Sequence, residues 1–169
     1  SRTPRSNPAL FVGAWDGIRQ IFAQTEDARK IGLTASSFSF NSGTGRCPHC
    51  QGLGHERVEM QFMADVYVPC AVCDGRQFTD EVLAIKWNGY SIRDILKLTV
   101  VEAIEVWNKE KSISFKLGAL AEVGLGYLPL GQPLNTLSGG ESQRLKLVRY
   151  LGSLNQKKDA SLLLLDEPT

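Results

Sequence analysis

Apolar residues recur along this chain with two different periods, and the switch between them divides it. Trp15, Ile18, Ile21 and Phe22 return at helical spacing, and the pattern stops near Gly32, a residue suited to a C-cap. Val58, Met60 and Phe62 instead alternate with Glu59 and Gln61, and Val66-Tyr67-Val68 follows Asp65, which predicts two short strands. Val82 to Trp87 reads as another strand, entering a tight hairpin turn at Asn88-Gly89 before Tyr90. Helical spacing then resumes. Ile92, Ile95 and Leu96 share a face within Ser91 to Leu98, and Thr99 with Glu102 forms a capping box ahead of Val100, Ala103, Ile104 and Trp107. The tryptophans and isoleucines of these stripes are assigned to the core.

Two further segments carry chemistry. Ser138 and Glu141 stand in the S-x-x-E relation, so a helix should start there, with Leu147, Val148, Leu151 and Leu154 at helical spacing and Gln143, Arg144, Lys146 and Arg149 left for other faces. Gly139 and Gly140 lie in its first turn, where missing Cβ atoms leave unpaired amides open to a phosphate. Leu162 to Leu165 then reads as a strand buried on both faces. Asp166 at its end suits Mg²⁺, and Glu167 beside it could polarise an attacking water. Asp-Glu after four leucines is by itself more often an ordinary strand end. The serine-glycine helix start about 25 residues upstream turns the pair into the pattern of an ABC-type ATPase. No Gly-Lys dipeptide occurs, so the chain has no P-loop, and it holds only part of such an enzyme.

All four cysteines fall in one pattern. Cys47 and Cys50 make one Cys-x-x-Cys pair, Cys70 and Cys73 the other, with nineteen residues between. Pairs at this separation match a tetrathiolate zinc site, although four thiolates also suit iron, and disulfides are the alternative without a metal. Gly52 and Gly75 each follow the second cysteine of a pair after one residue and permit a left-handed turn that aims amides at sulfur. His49 and His55 are the only histidines, and with four sulfurs closing the site they are expected to be neighbours rather than ligands. The strands between the pairs would make a β-ribbon too small for a core of its own, which the metal replaces.

Composition adds little. With 169 residues, 43% hydrophobic and 22% charged, and a net charge of +1, the chain suits one globular domain with a small appended module. Charge is uneven all the same: Arg144, Lys146, Arg149, Lys157 and Lys158 cluster against Asp159 alone, and Arg46, Arg57 and Arg76 flank the cysteines. No run approaches the ~18 apolar residues of a membrane span and no signal peptide is evident, so no membrane partner and a cytoplasmic location are expected. Beyond the paired metal turns there is no repeat.

The run Arg2-Thr3-Pro4-Arg5-Ser6-Asn7-Pro8-Ala9, the cysteine module with Asp65-Val66-Tyr67-Val68 before its second pair, and Leu130-Gly131-Gln132 leading into Leu137-Ser138-Gly139-Gly140-Glu141 together resemble the UvrA family of DNA-damage sensors, and specifically its second ABC half. The resemblance runs essentially end to end. It implies an α+β fold: a mostly helical ABC-ATPase signature domain with an inserted four-cysteine zinc β-ribbon, ending on the Walker B strand. The implied segments are 1–45, a zinc module at 46–78, the helical part at 79–158, and the strand at 159–169. Ser138, Gly139 and Gly140, with Glu141 and Gln143 shaping the helix start, would meet an ATP held by the opposing ABC half. Asp166 would ligate Mg²⁺ and Glu167 act as catalytic base at this half's own ATP. Cys47, Cys50, Cys70 and Cys73 match the zinc ligands. Implied partners are lesion-bearing double-stranded DNA, for which Arg2, Arg5, Arg46, Arg57 and Arg76 are candidate contacts, then UvrB, and a second copy in a homodimer. Met63-Ala64 and Gln77-Phe78 depart from the family pattern and keep open a UvrA-like paralogue with a different DNA or resistance role. A chaperone-type zinc module would show more Cys-x-x-Cys-x-Gly units and no ATPase pattern. A transporter ATPase would not carry the cysteines.

Overall fold

The computed structural model describes residues 5–165, with side chains described for residues 5–152. Short helices open the chain: α1 (Pro8–Phe11), capped by Asn7, whose side chain accepts the Leu10 amide at 2.9 Å, then α2 (Ala14–Ala23) and α3 (Glu26–Lys30). The apolar stripe predicted as one helix is broken at Thr25. Its hydroxyl donates to the Phe22 carbonyl at 2.7 Å and accepts the Ala28 amide at 3.4 Å, so one residue ends α2 and starts α3. Gly32, at φ +75°, closes α3 as expected, with the Leu33 amide reaching back to the Ala28 carbonyl at 2.9 Å.

A 3₁₀ turn at Ala35–Phe38 leads into the cysteine module, whose strands β1 (His55–Val58) and β2 (Val66–Pro69) pair antiparallel from His55↔Pro69 to Val58↔Val66. Met60 and Phe62 fall in the connecting loop, contrary to the alternation pattern. Both are exposed there, Met60 by 41% and Phe62 by 96%. Helix α4 (Asp80–Leu83) replaces the strand expected from Val82, because Thr79 stands at its cap and Asp80 and Glu81 favour a helix N-terminus. The expected turn does form: Asn88 and Gly89 take φ of +48° and +83°, and Trp87 and Tyr90 exchange two 2.9 Å hydrogen bonds.

Helices α5 (Ile92–Lys97) and α6 (Val100–Val106) begin on the capping boxes of Ser91 with Asp94 and Thr99 with Glu102. Helix α7 (Lys111–Glu122) packs on α2, α6 and α8. Helix α8 runs from Gly139 to Leu165. Its buried contacts are Leu145 and Val148, whereas Leu147 and Leu151, expected on the inner face, are 50% and 39% exposed. Residues 162–165 therefore end a helix and do not form the expected Walker B strand. Among the described residues the sheet holds only β1 and β2, which pair with each other, so a strand here would lack a ladder partner while a helix satisfies its own amides. Asp166, Glu167 and Arg2 lie outside the described residues.

The core is aromatic and continuous with the module. Phe78, the last module residue, packs on Phe40 at 5.2 Å between ring centres, and Phe40 packs on Trp15 at 4.8 Å. Trp15 Nε1 donates to the Phe38 carbonyl at 3.1 Å, and Trp87 stacks on Trp107 at 3.9 Å. The module is therefore rooted in the helical core by its own ends.

Candidate metal centre and signature helix

Two backbone turns of one shape hold the four cysteines. Gln51 and Asp74 take φ of +52° and +51°, and Gly52 and Gly75 take +84° and +78°. The Gly54 amide then donates to Cys50 Sγ at 3.2 Å, and the Gln77 amide to Cys73 Sγ at 3.3 Å. The halves also clasp each other: the Cys47 amide donates to the Gln77 carbonyl at 2.9 Å, and the Cys70 amide to the Gly54 carbonyl at 3.0 Å. This is a pseudo-two-fold pair of knuckles. The left-handed turns at Gly52 and Gly75 thus aim backbone amides at sulfur, as expected.

The four thiols are buried, none forms a disulfide, and their Sγ atoms lie within 4.8 Å of one another. A tetrahedral zinc with Zn–S bonds near 2.3 Å sets its sulfurs about 3.8 Å apart. Cys50 and Cys73 Sγ are 3.7 Å apart, so the donor set fits zinc. Hydrogen bonding from the Cys73 amide draws the Cys70 thiol down to about 7, whereas burial pushes Cys50 up to about 12 and raises Cys73 as well. Sulfurs this close ionise together only against a cation, which removes the penalty when it binds.

The remaining module residues are mostly engaged. His49, exposed, hydrogen-bonds Glu56 through Nε2, and half-buried His55 sits edge-on to Tyr67 at 5.1 Å. Arg57 is paired with Asp65 at 2.6 Å and Glu59 at 3.8 Å. Arg76 Nε donates to the Cys73 carbonyl at 2.9 Å, Arg46 to the Asn41 carbonyl at 3.0 Å, and Arg5 to the Gln51 carbonyl at 3.0 Å. Three arginines face four carboxylates within residues 46–78, so the module as a whole has no positive excess.

At the other end of the domain the expected capping box forms. The Ser138 amide donates to Glu141 Oε1 at 2.9 Å and the Glu141 amide to Ser138 Oγ at 3.1 Å. Tyr127, which sequence reasoning missed, donates its hydroxyl to the other Glu141 oxygen. That bond first, and the Ser138 amide second, hold the Glu141 carboxyl below its ordinary range. Ser138, Gly139, Gly140 and Gln143 are exposed, and a Cβ at either glycine would meet nothing within 4 Å. The first turn of α8 is thus open to an incoming phosphate.

A third feature had no sequence signal. Between the knuckles, α5 and the segment leading to α8 lies a cleft of about 530 Å³, lined by Gln77, Arg93, Lys97 and Gln132 among others. Gln77 Oε1 accepts from Arg93 Nη1 at 3.3 Å, and Gln77 Nε2 donates to the Gly52 carbonyl at 3.2 Å.

A four-thiol module is thus inserted in a helical domain, ahead of an exposed Ser-Gly-Gly helix start. No family model matches the chain. It is 49% identical over 168 residues to "UvrABC system protein A" of Methanothermobacter thermautotrophicus and likewise of Thermus thermophilus, covering 99% of this chain and 17% of each relative. The crystal structure of UvrA2 from Deinococcus radiodurans superimposes with a TM-score of 0.84 at 50% identity, over 88% of this chain and 18% of that one. Along this segment the chain is closely similar to the UvrA proteins. It spans less than a fifth of their length.

Proposed function

We propose that this chain is the signature domain, with its zinc module, of a UvrA-type DNA-damage recognition ATPase in nucleotide excision repair. The observation that carries the reading is the joint presence, in one domain, of the exposed Ser138 helix start and the four-sulfur centre, along a sequence similar to UvrA from end to end. Cys47, Cys50, Cys70 and Cys73 would hold a structural zinc, which supplies cross-linking energy to a module without a core. Ser138, Gly139 and Gly140 would donate to the terminal phosphate of an ATP bound by an opposing ABC half, with Glu141 and Gln143 holding the turn. Asp166 would ligate Mg²⁺, and Glu167 would activate water at a second ATP. Partners are lesion-bearing double-stranded DNA, UvrB and a second copy of the whole protein.

Contacts to DNA would run through phosphates and deformed duplex, since a sensor of varied lesions cannot rely on a base-edge code. Arg46 and Arg5 retain guanidinium nitrogens beyond their single bonds to backbone carbonyls. Arg57 must exchange Asp65 for a phosphate.

A second reading, a UvrA-like paralogue with another DNA or resistance role, is favoured by Met63-Ala64 and Gln77-Phe78, where the chain departs from the family pattern. The test is binding of the intact protein, with ATP, to a duplex carrying one bulky adduct and to its undamaged twin. The proposed function expects tighter binding to the adduct. Equal affinity for both duplexes contradicts it and favours the paralogue. In the same protein Glu167→Gln should retain bound ATP while turnover is lost.

A further inference from the structure

Arg93 is a charged side chain without a carboxylate. Its Nε is buried with no hydrogen-bond partner, and among the described residues no Asp or Glu forms an ion pair with it. An unpaired cation in such a place is costly, so a counter-charge must lie close. The sulfur cluster supplies one: Cys73 acts on Arg93 through space and favours its charged form against the larger, opposing effect of burial.

The connection is also made by bonds. Arg93 Nη1 donates to Gln77 Oε1 at 3.3 Å, while the Gln77 amide donates to Cys73 Sγ at 3.3 Å. Gln77 further holds the other knuckle, through its carbonyl to the Cys47 amide at 2.9 Å and its Nε2 to the Gly52 carbonyl at 3.2 Å. A single residue thus spans both knuckles and faces α5. Four thiolates around one divalent ion carry a net charge of about −2. Of the module's own arginines, Arg57 is paired with carboxylates, and Arg76 and Arg46 each donate to a backbone carbonyl.

We propose that Arg93 is the outer counter-cation of the four-sulfur metal centre, positioned by Gln77, and that this pair fixes the metal module against α5. The inference rests on the zinc reading of the site. It also gives the module a rigid path to the ATP-facing end of the domain. The Leu96 carbonyl of α5 accepts the Gly131 amide at 2.9 Å, and the carbonyl of Leu98, just past its end, accepts the Leu130 amide at 2.8 Å, on the segment that runs into Ser138.

The test is the rate at which the intact zinc-loaded protein gives up its metal to a chromophoric chelator, for wild type, Arg93→Lys, Arg93→Gln and Gln77→Ala. Elemental analysis first establishes zinc in each, so a failure of the zinc reading is seen separately from a failure of this one. Arg93→Gln should release zinc on the order of tenfold faster, consistent with losing a second-layer partner. Arg93→Lys, which keeps the charge, should stay within about threefold of wild type, and Gln77→Ala should fall between. In the cobalt-substituted protein the sulfur-to-metal charge-transfer band should move in Arg93→Gln and not in Arg93→Lys. Wild-type release from Arg93→Gln, or equal acceleration by Lys and Gln with no band shift, would overturn the proposal, the latter by reducing Arg93 to packing. Should Arg93→Gln fail to fold, the cobalt band of Gln77→Ala decides: a shift supports the pair and none refutes it.

Discussion

Cys47 and Gln77 are joined by a 2.9 Å hydrogen bond from amide to carbonyl, although thirty positions separate them in sequence. Its counterpart joins Cys70 to Gly54 at 3.0 Å, so the turn that carries each cysteine pair is closed by the end of the other. Neither knuckle is complete alone. The turns depend on left-handed backbone at fixed places, and this makes the glycines an ordered test. A Cβ at Gly45 would lie 1.8 Å from the Ser37 carbonyl oxygen, one at Gly52 would lie 2.8 Å from that of Phe40, and one at Gly75 would meet nothing closer than 3.7 Å.

Alanine substitutions should therefore destabilise in the order Gly45, then Gly52, then Gly75. Gly75→Ala carries only the left-handed penalty, about 1 kcal/mol, while Gly52→Ala adds a clash with backbone. Urea unfolding of the zinc-bound proteins measures this. Equal losses at Gly52 and Gly75 would mean that the Phe40 carbonyl gives way without cost.

Ser138→Ala should cost about 1 kcal/mol through loss of the α8 cap. Glu141 adds a pH dependence. Its carboxyl is held below the ordinary value of 4.5, so its stabilising effect is present above that pH and is lost as pH falls through the lowered value. The unfolding curve of Glu141→Gln should thus be flatter than wild type on the acid side. Parallel curves would show that Tyr127 and the Ser138 amide do not favour the ionised form.

Trp107 stacks on Trp87 with rings 5° from parallel, and its Nε1 is buried without a partner. Trp107→Ala should cost about 3–5 kcal/mol, while Trp107→Phe, which keeps a ring and removes the unpaired N–H, should cost much less. Thermal unfolding separates them. Similar losses would mean that Nε1 has a partner such as ordered water.

Arg57 gives the DNA proposal a sharp form. Asp65→Asn releases its closest partner and should strengthen binding of the intact protein to duplex at low salt, with a steeper salt slope. Arg57→Ala should make the slope shallower. If neither variant changes it, Arg57 serves the hairpin and not DNA.

Much of the site was legible because its signals are local. Cys-x-x-Cys spacing, the glycines after each pair and the S-x-x-E box at Ser138 each act within about five residues, and all three form as read. The Asn88-Gly89 turn was legible for the same reason. Periodicity failed where tertiary partners decide. Met60 and Phe62 alternate but have no face to cover, Leu147 and Leu151 lie on an open side of α8, and Leu162 to Leu165 has no neighbouring strand. The side-chain contacts of Gln77, Arg93 and Tyr127 carried no pattern, since those partners are 14 to 25 positions away in sequence.

The metal is the most direct test of the four-sulfur centre. Native mass spectrometry with elemental analysis of the purified chain should find one zinc, lost in Cys47→Ser and Cys70→Ser alike, together with loss of the β1–β2 hairpin's amide protection against hydrogen exchange. One zinc removed by a mutation in either knuckle is the predicted result. A chain with no zinc and four titratable thiols, or one holding iron in its place, would contradict it.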